Sequence, residues 1–164
     1  MRVLGIDYGE RNIGVAISDP GLRFAFGLTV IRRANSSEFK PCIAALKGII
    51  EEYDVETVVL GYPVNLDGCV SSQCLKTQEF KERLGRNFKQ IEIVLWDERY
   101  STRAVARVLN EAKVGRAAKD EVIDKMAAVY ILQGYLDSLN VKPADGRGVG
   151  FIKESELAAG IGDD

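Results

Sequence analysis

Three acidic positions stand where the hydrophobic pattern calls for buried or half-buried side chains. Asp7 closes the apolar run of "RVLGIDYGERNIGVAISD" (residues 2–19) and, with a strand's period of two, shares a face with Val3 and Gly5. Asp97 and Glu98 stand side by side at the end of "IEIVLWDE" (91–98); alternation sends only one of them to a given face and does not say which. Asp124, in "KDEVIDKMAAVYILQGYL" (119–136), has Ala127, Ala128 and Ile131 as its i+3, i+4 and i+7 neighbours, small enough to let a helix lie close to a sheet. Each acid has a structural explanation. Asp7 can cap the turn at Gly9, Asp97 and Glu98 can favour the N-terminus of a following helix, and Asp124 can be a first-turn acid, as Asp120 and Glu121 are expected to be. Taken together, three acids from distant segments suit a hard, oxygen-liganding cation, since an ionised carboxylate is costly to bury unless paired or bound to metal. Mg²⁺ is held by few carboxylates and keeps waters and substrate phosphates around it. Two such ions roughly 3.5–4 Å apart activate a water and stabilise the leaving oxygen of a phosphodiester.

The rest of the composition narrows the chemistry. The chain has no histidine, which removes the Ser-His-Asp triad, the Cys-His pair and the histidine-ligated zinc hydrolases. Cys42, Cys69 and Cys74 are odd in number and lack the paired spacing of a zinc site, as expected of a reduced intracellular chain. Net charge is −2. The last segment carries Lys142, Arg147 and Lys153 against Asp145, Glu154, Glu156, Asp163 and Asp164, which leaves residues 1–140 balanced. Distribution therefore matters more than sum. Between residues 99 and 119 lie Arg99, Arg103, Arg107, Lys113, Arg116 and Lys119 against Glu111 alone. Arg103 and Arg107 are i,i+4 neighbours opposite a stripe of Val105, Val108, Leu109 and Ala112. A solvated helix face gives the same pattern; closeness to Asp97 and Glu98 favours phosphate, which guanidinium groups match well.

These residues need elements to position them. "RVLGID" and "NIGVAIS" read as strands joined by the turn "YGER", and "RFAFGLTVIRR" (23–33) as a third strand pairing with the second. "SSEFKPCIAALKGIIEEYD" (36–54) reads as an amphipathic helix with a capping serine and with Pro41 in its first turn. "TVVLGYP" (57–63) is a continuous buried-type strand, followed by a loop, a polar helix at 73–87, the strand 91–98, a helix near 102–113 and a last helix from about Glu121 to Leu139. The expected fold is α/β: a mixed sheet of five strands with an antiparallel opening, a βαβαβ-type parallel continuation and helices on both faces. Residues 1–139 are expected to form a single domain, and the Gly- and acid-rich 140–164 a loosely docked tail. No apolar run approaches the roughly 20 residues needed to span a bilayer, and the chain opens on a strand pattern where a signal peptide would stand, so a cytoplasmic protein without membrane contact is expected.

Four stretches, "GIDYGERNIGVAISD", "GYPVNLDG", "DERYST" and "VIDKMAAVYILQGYL", resemble in order and spacing the motifs of the YqgF family. Its members are described as pre-16S rRNA nucleases and as Holliday-junction-resolvase-like proteins of the ribonuclease H-like superfamily. The resemblance covers most of residues 1–139. It implies a ribonuclease H-like fold and a nuclease that uses Mg²⁺ or Mn²⁺ on structured RNA or DNA, with processing of the 5′ end of rRNA precursor as the leading substrate. Asp7, Glu98 and Asp124 match the family's catalytic, metal-binding acids, so the resemblance selects Glu98 over Asp97. Arg11 and Asn65 match substrate-contacting positions, to which Arg99, Arg103 and Arg107 are added from the basic run. Two departures touch the second motif: Tyr62 stands where leucine is usual, and "CVSSQ" (69–73) replaces a Gly- and Glu-containing continuation. The rival readings are a Holliday-junction DNA resolvase, an ATP-binding phosphotransferase approached through "DYGERNIG", and a non-catalytic nucleic-acid-binding factor. The sequence leaves monomer and dimer equally open.

Overall fold

The β-branched run that opens the chain folds as the two strands its pattern demands, β1 (Arg2–Tyr8) and β2 (Asn12–Ser18), paired antiparallel with Asp7 opposite Gly14. The computed structural model describes residues 1–63, 71–97 and 116–140, the side chains of the last stretch from Glu121 onward. A third strand, β3 (Ala25–Arg32), pairs antiparallel with β2 and forms one edge of the sheet. Its entry is a turn in which the Asp19 carboxylate accepts from the amides of Arg23 (2.8 Å) and Phe24 (2.9 Å). β4 (Val55–Tyr62) and β5 (Glu92–Asp97) follow in parallel on the other side of β1, giving the order β3-β2-β1-β4-β5. This is the mixed five-stranded sheet that the sequence leads one to expect.

Helices cover both faces, and period two sorts the strand residues between them. On one face α1 (Lys40–Tyr53) and α2 (Ser72–Asn87) pack Cys42, Leu46, Ile50, Phe80 and Leu84 against Leu4, Ile6, Ile13, Val58 and Leu60. On the other, α3 (Arg116–Asn140) packs Ala128, Ile131, Leu132 and Leu136 against Val3, Ala16, Val59 and Trp96. At about 1.5–3 kcal/mol per buried aliphatic side chain, these two layers are the main stabilising term.

Local details depart from expectation in two places. Ser36 and Ser37 do not cap α1: the amide and hydroxyl of Ser37 both donate to Asn35 Oδ1 (3.0 and 2.6 Å), and Phe39 occupies the cap with no side-chain bond. An asparagine two residues upstream offers an equally local turn, and it wins the serine. Pro41 lies in the first turn as expected, where its missing amide costs nothing. α3 is already helical at Arg116, the first described residue of this stretch and ahead of the expected Glu121, as suits "RAAK", which is built of strong helix formers. Asp120 and Glu121 are therefore past its first turn. The helix expected near 102–113 lies outside the described residues. Among those residues, no helix is long and apolar enough to cross a membrane.

Candidate active site

Parallel strands β1, β4 and β5 end together, with Tyr62 of β4 beside Asp97 of β5 and Leu60 beside both Ile6 and Leu95. This carboxyl edge is where open α/β sheets place ligands. Asp7, half-buried at the end of β1, continues the face of Val3 and Gly5 and so turns toward α3. Asp97 is buried, 7% exposed, and by alternation follows Leu95 on the face of α1 and α2.

α3 reaches Asp7 because two glycines let it. A Cβ built on Gly5 would stand 2.6 Å from Leu132 Cβ and 3.0 Å from the Ala128 carbonyl oxygen. One built on Gly14 would stand 2.0 Å from the carbonyl oxygen of Asp124 and 3.4 Å from its Cα. Gly14 is the cross-strand partner of Asp7, and directly opposed residues project on the same face about 5 Å apart. The main chain of Asp124 thus crosses the sheet beside the Asp7 side chain. Ala127 and Ala128, both buried, give the helix the flat surface this needs.

The turn after Asp7 is held from below. Arg33, 7% exposed, donates from Nη1 to the Gly9 carbonyl (3.0 Å) and from Nη2 to that of Ser36 (2.5 Å), and its guanidinium lies over the rings of Tyr8 (4.9 Å) and Phe39 (5.4 Å). Its amide donates to the Arg11 carbonyl (2.7 Å), while Gln73 Nε2 donates to that of Tyr8 (2.9 Å). Tyr8 stacks on Phe80 at 4.2 Å, and burial pushes its phenol above the ordinary value against the opposing pull of Arg33. Lys76 donates to Glu10 and holds that exposed carboxyl below its usual range. Arg11 is left exposed on this turn. Tyr62, the departure in the second motif, is buried, and Gln78 donates to its hydroxyl at 2.6 Å.

Of the expected site residues, the structure brings the main chain of Asp124 against Gly14, the strand partner of Asp7, and leaves Arg11 on the adjoining turn. Glu98, Asn65, Arg99, Arg103 and Arg107 lie outside the described residues. Among the described residues no three His, Cys, Asp or Glu side chains converge on a metal-sized space. Among the described residues, the acids at this edge, Asp7 and Asp124, offer carboxylate oxygens, and Cys42 and Cys74 belong to the opposite core. That oxygen-only set fits a hard divalent cation and not zinc or copper. Gly14, Arg33 and Gln73 were not singled out from the sequence. Gly14 carried a signal, since counting outward from the hairpin turn pairs it with Asp7.

The sheet order and the helix against Asp7 define a fold of the RuvC-like resolvase class within the ribonuclease H-like group. T. thermophilus RuvC in complex with Holliday junction substrate superposes with a TM-score of 0.54 at 14% identity, over 86% of this chain and 97% of that one. A second Thermus thermophilus RuvC structure gives 0.51 at 12% identity, over 85% and 97%. The family model described as "RuvX: Holliday junction resolvase" matches residues 1–138, and the chain belongs to that family, the YqgF family of the four motifs. A protein of Desulfitobacterium hafniense (strain DSM 10664 / DCB-2) named "Putative pre-16S rRNA nuclease" is 46% identical over 142 residues, 87% of this chain and 96% of that protein. One of the same name from Clostridium novyi (strain NT) is 48% identical over 139 residues, 85% and 100% of the two chains.

Proposed function

We propose that this chain is a cytoplasmic nuclease that hydrolyses phosphodiester bonds in structured nucleic acid with Mg²⁺ or Mn²⁺, and that its substrate is the 5′ end of an rRNA precursor. Residues 1–139 form the nuclease domain; Asp7, Glu98 and Asp124 hold the cation. The observation that carries this is the contact of the Asp124 main chain with Gly14, the strand partner of Asp7, at the carboxyl edge of the sheet. Carboxylates brought close together favour a bound cation, which offsets their mutual repulsion. The alternation of β5 supports Glu98 as the third ligand: Val94 and Trp96 face α3, and Asp97 belongs to the other face.

In this reading the chain's own work is positioning. The β1–β2 ladder fixes Asp7, the sheet contact of α3 fixes Asp124, and the buried Arg33 holds the turn that presents Arg11 to a phosphate. Asn65, Arg99, Arg103 and Arg107 add contacts to the substrate backbone, which set register more than sequence. Bound Mg²⁺ or Mn²⁺ supplies polarisation of the phosphoryl oxygen and acidification of the attacking water. The names of relatives at 46–48% identity favour RNA; the junction DNA belongs to a neighbour at 14% identity, whose likeness is one of fold.

The test is cleavage of matched substrates, a 5′-extended 16S precursor RNA and a four-way DNA junction, by wild type, Asp7→Asn, Glu98→Gln and Asp124→Asn. The expected result is RNA cleavage that requires Mg²⁺ or Mn²⁺ and falls at least ~10³-fold in each variant, with the thermal midpoint preserved. Undiminished cleavage by rigorously purified Asp7→Asn protein overturns the assignment. Preference for the junction transfers it to the resolvase reading, and tight ATP binding without cleavage transfers it to phosphotransfer.

A further inference from the structure

On the face of the sheet away from α3, a groove of about 400 Å³ runs between α1 and α2, lined by Phe39, Lys40, Ile43, Ala44, Arg83 and Asn87. Its lining carries two cations, Lys40 and Arg83, and no acid. Lys40 makes no ion pair among the described residues. The Arg83 guanidinium lies 3.9 Å over the Phe39 ring, with one terminal nitrogen 3.3 Å from Glu79 and its Nε buried without a partner. The adjoining first turn of α1 has no acidic residue and no side-chain cap, with Glu38 just before it. A guanidinium held flat by an aromatic ring, a lysine and an amide side chain around a small apolar floor match an anion attached to an organic framework.

The groove is tied to the candidate active site. Three ring contacts lead to it from Tyr8, the residue after Asp7: Tyr8 to Phe80 at 4.2 Å, Phe80 to Phe39 at 6.5 Å, and Phe39 to Arg83 at 3.9 Å. At about 3.4 Å per nucleotide along a strand, a few nucleotides span that distance. Arg11 is exposed on the turn that follows Asp7.

We infer that this groove is a second phosphate site, which takes the phosphodiester backbone of the substrate strand a few nucleotides away from the bond that is cut. The inference rests on the nuclease reading. The strand leaves Asp7, rounds the β1–β2 turn past Arg11, and sets one phosphate between Lys40 and Arg83 with its sugar against Ile43 and Ala44. What argues for a site is geometry: the Arg83 guanidinium held on the Phe39 ring at the wall of a formed cavity, with Lys40 in the same lining.

The experiment measures binding of fluorescein-labelled single-stranded RNA, and of DNA of the same sequence, by anisotropy in EDTA between 50 and 200 mM salt. Lys40→Ala and Arg83→Ala each remove one phosphate-directed charge and should lower the slope of log K against log salt by about 0.7. Ala44→Glu leaves the Arg83–Phe39 stack intact and puts a carboxylate in the groove; it should weaken binding about 10-fold while the thermal midpoint holds. Lys47→Ala, on α1 but outside the groove, should change neither. With Mg²⁺ present, Ala44→Glu should raise KM on a long strand at unchanged kcat, and cut a substrate trimmed close to the scissile bond as wild type does. Equal loss with RNA and DNA identifies the phosphate as the recognised group. Slopes and affinities unaltered in Lys40→Ala and Ala44→Glu overturn the groove site and leave the nuclease standing. Absence of strand binding by wild type overturns both, and tight mononucleotide binding in the groove with strand binding unaltered overturns the strand assignment alone.

Discussion

A single hydrogen atom in place of a side chain decides where α3 lies. At Gly14 even a methyl group would overlap the main chain of Asp124, and backbone cannot rotate away as a side-chain end can. Gly14→Ala should therefore cost about 1–3 kcal/mol or more of stability in urea denaturation, as overpacking does, and depress cleavage beyond what the lost stability explains. Gly85 is the contrast: it lies in α2 with nothing within 4 Å of a built Cβ, so Gly85→Ala should stabilise by about 0.5–1 kcal/mol. The same scale governs Arg33. Arg33→Met keeps the bulk but strands the carbonyls of Gly9 and Ser36, and should cost about 1–3 kcal/mol, with amide exchange accelerating first in the turn at Gly9. The acids were legible as residues because a carboxylate in an apolar run violates the pattern around it. Arg33 was not, because an arginine at a strand end reads as solvated until Tyr8 and Phe39 close over it.

At the scale of elements, connections are held by side-chain oxygens that sequence pattern places only approximately. The turn from β2 to β3 depends on Asp19, whose carboxylate accepts two backbone amides and is thereby held below its ordinary pKa. A depressed folded-state pKa means that the ionised form stabilises the fold above the unfolded-state value and that this contribution is lost as pH falls through the folded one. Thermal midpoints of wild type and Asp19→Ala should accordingly differ by a constant amount above the ordinary carboxylate range and converge as the pH falls through and below it. A difference independent of pH would mean that the turn is held by something other than this charge. Strands were readable because their period of two has one interpretation. The cap of α1 was misread because serine, asparagine and phenylalanine compete over five residues, and the start of α3 because helix propensity in "RAAK" outweighs the acidic signal after it.

For the whole molecule, the directions of the five strands, an antiparallel opening and a parallel continuation, followed from the alternation of patterns, whereas the closeness of α3 to the sheet did not, since it depends on which glycines face which turn of the helix. That closeness makes α3 both a carrier of Asp124 and the cover of one core. Its last turns bury Ile131, Leu132, Tyr135 and Leu136, whereas Leu139 is 48% exposed. The family match ends at residue 138. A chain ending at Asn140 should then keep its fold, its midpoint to within a few degrees, and its cleavage activity. A chain ending at Tyr130 loses four buried side chains at about 1.5–3 kcal/mol each, comparable to the ~5–15 kcal/mol that holds a domain together. The only tryptophan reports the difference, because Trp96 lies edge-on to Tyr135 at 6.0 Å with its Nε1 close to Gly134. Its emission should match the full chain in the protein ending at Asn140 and shift to the red in the one ending at Tyr130. A red shift in the longer truncation would mean that residues beyond α3 complete the core, and the boundary of the nuclease domain would move into the tail.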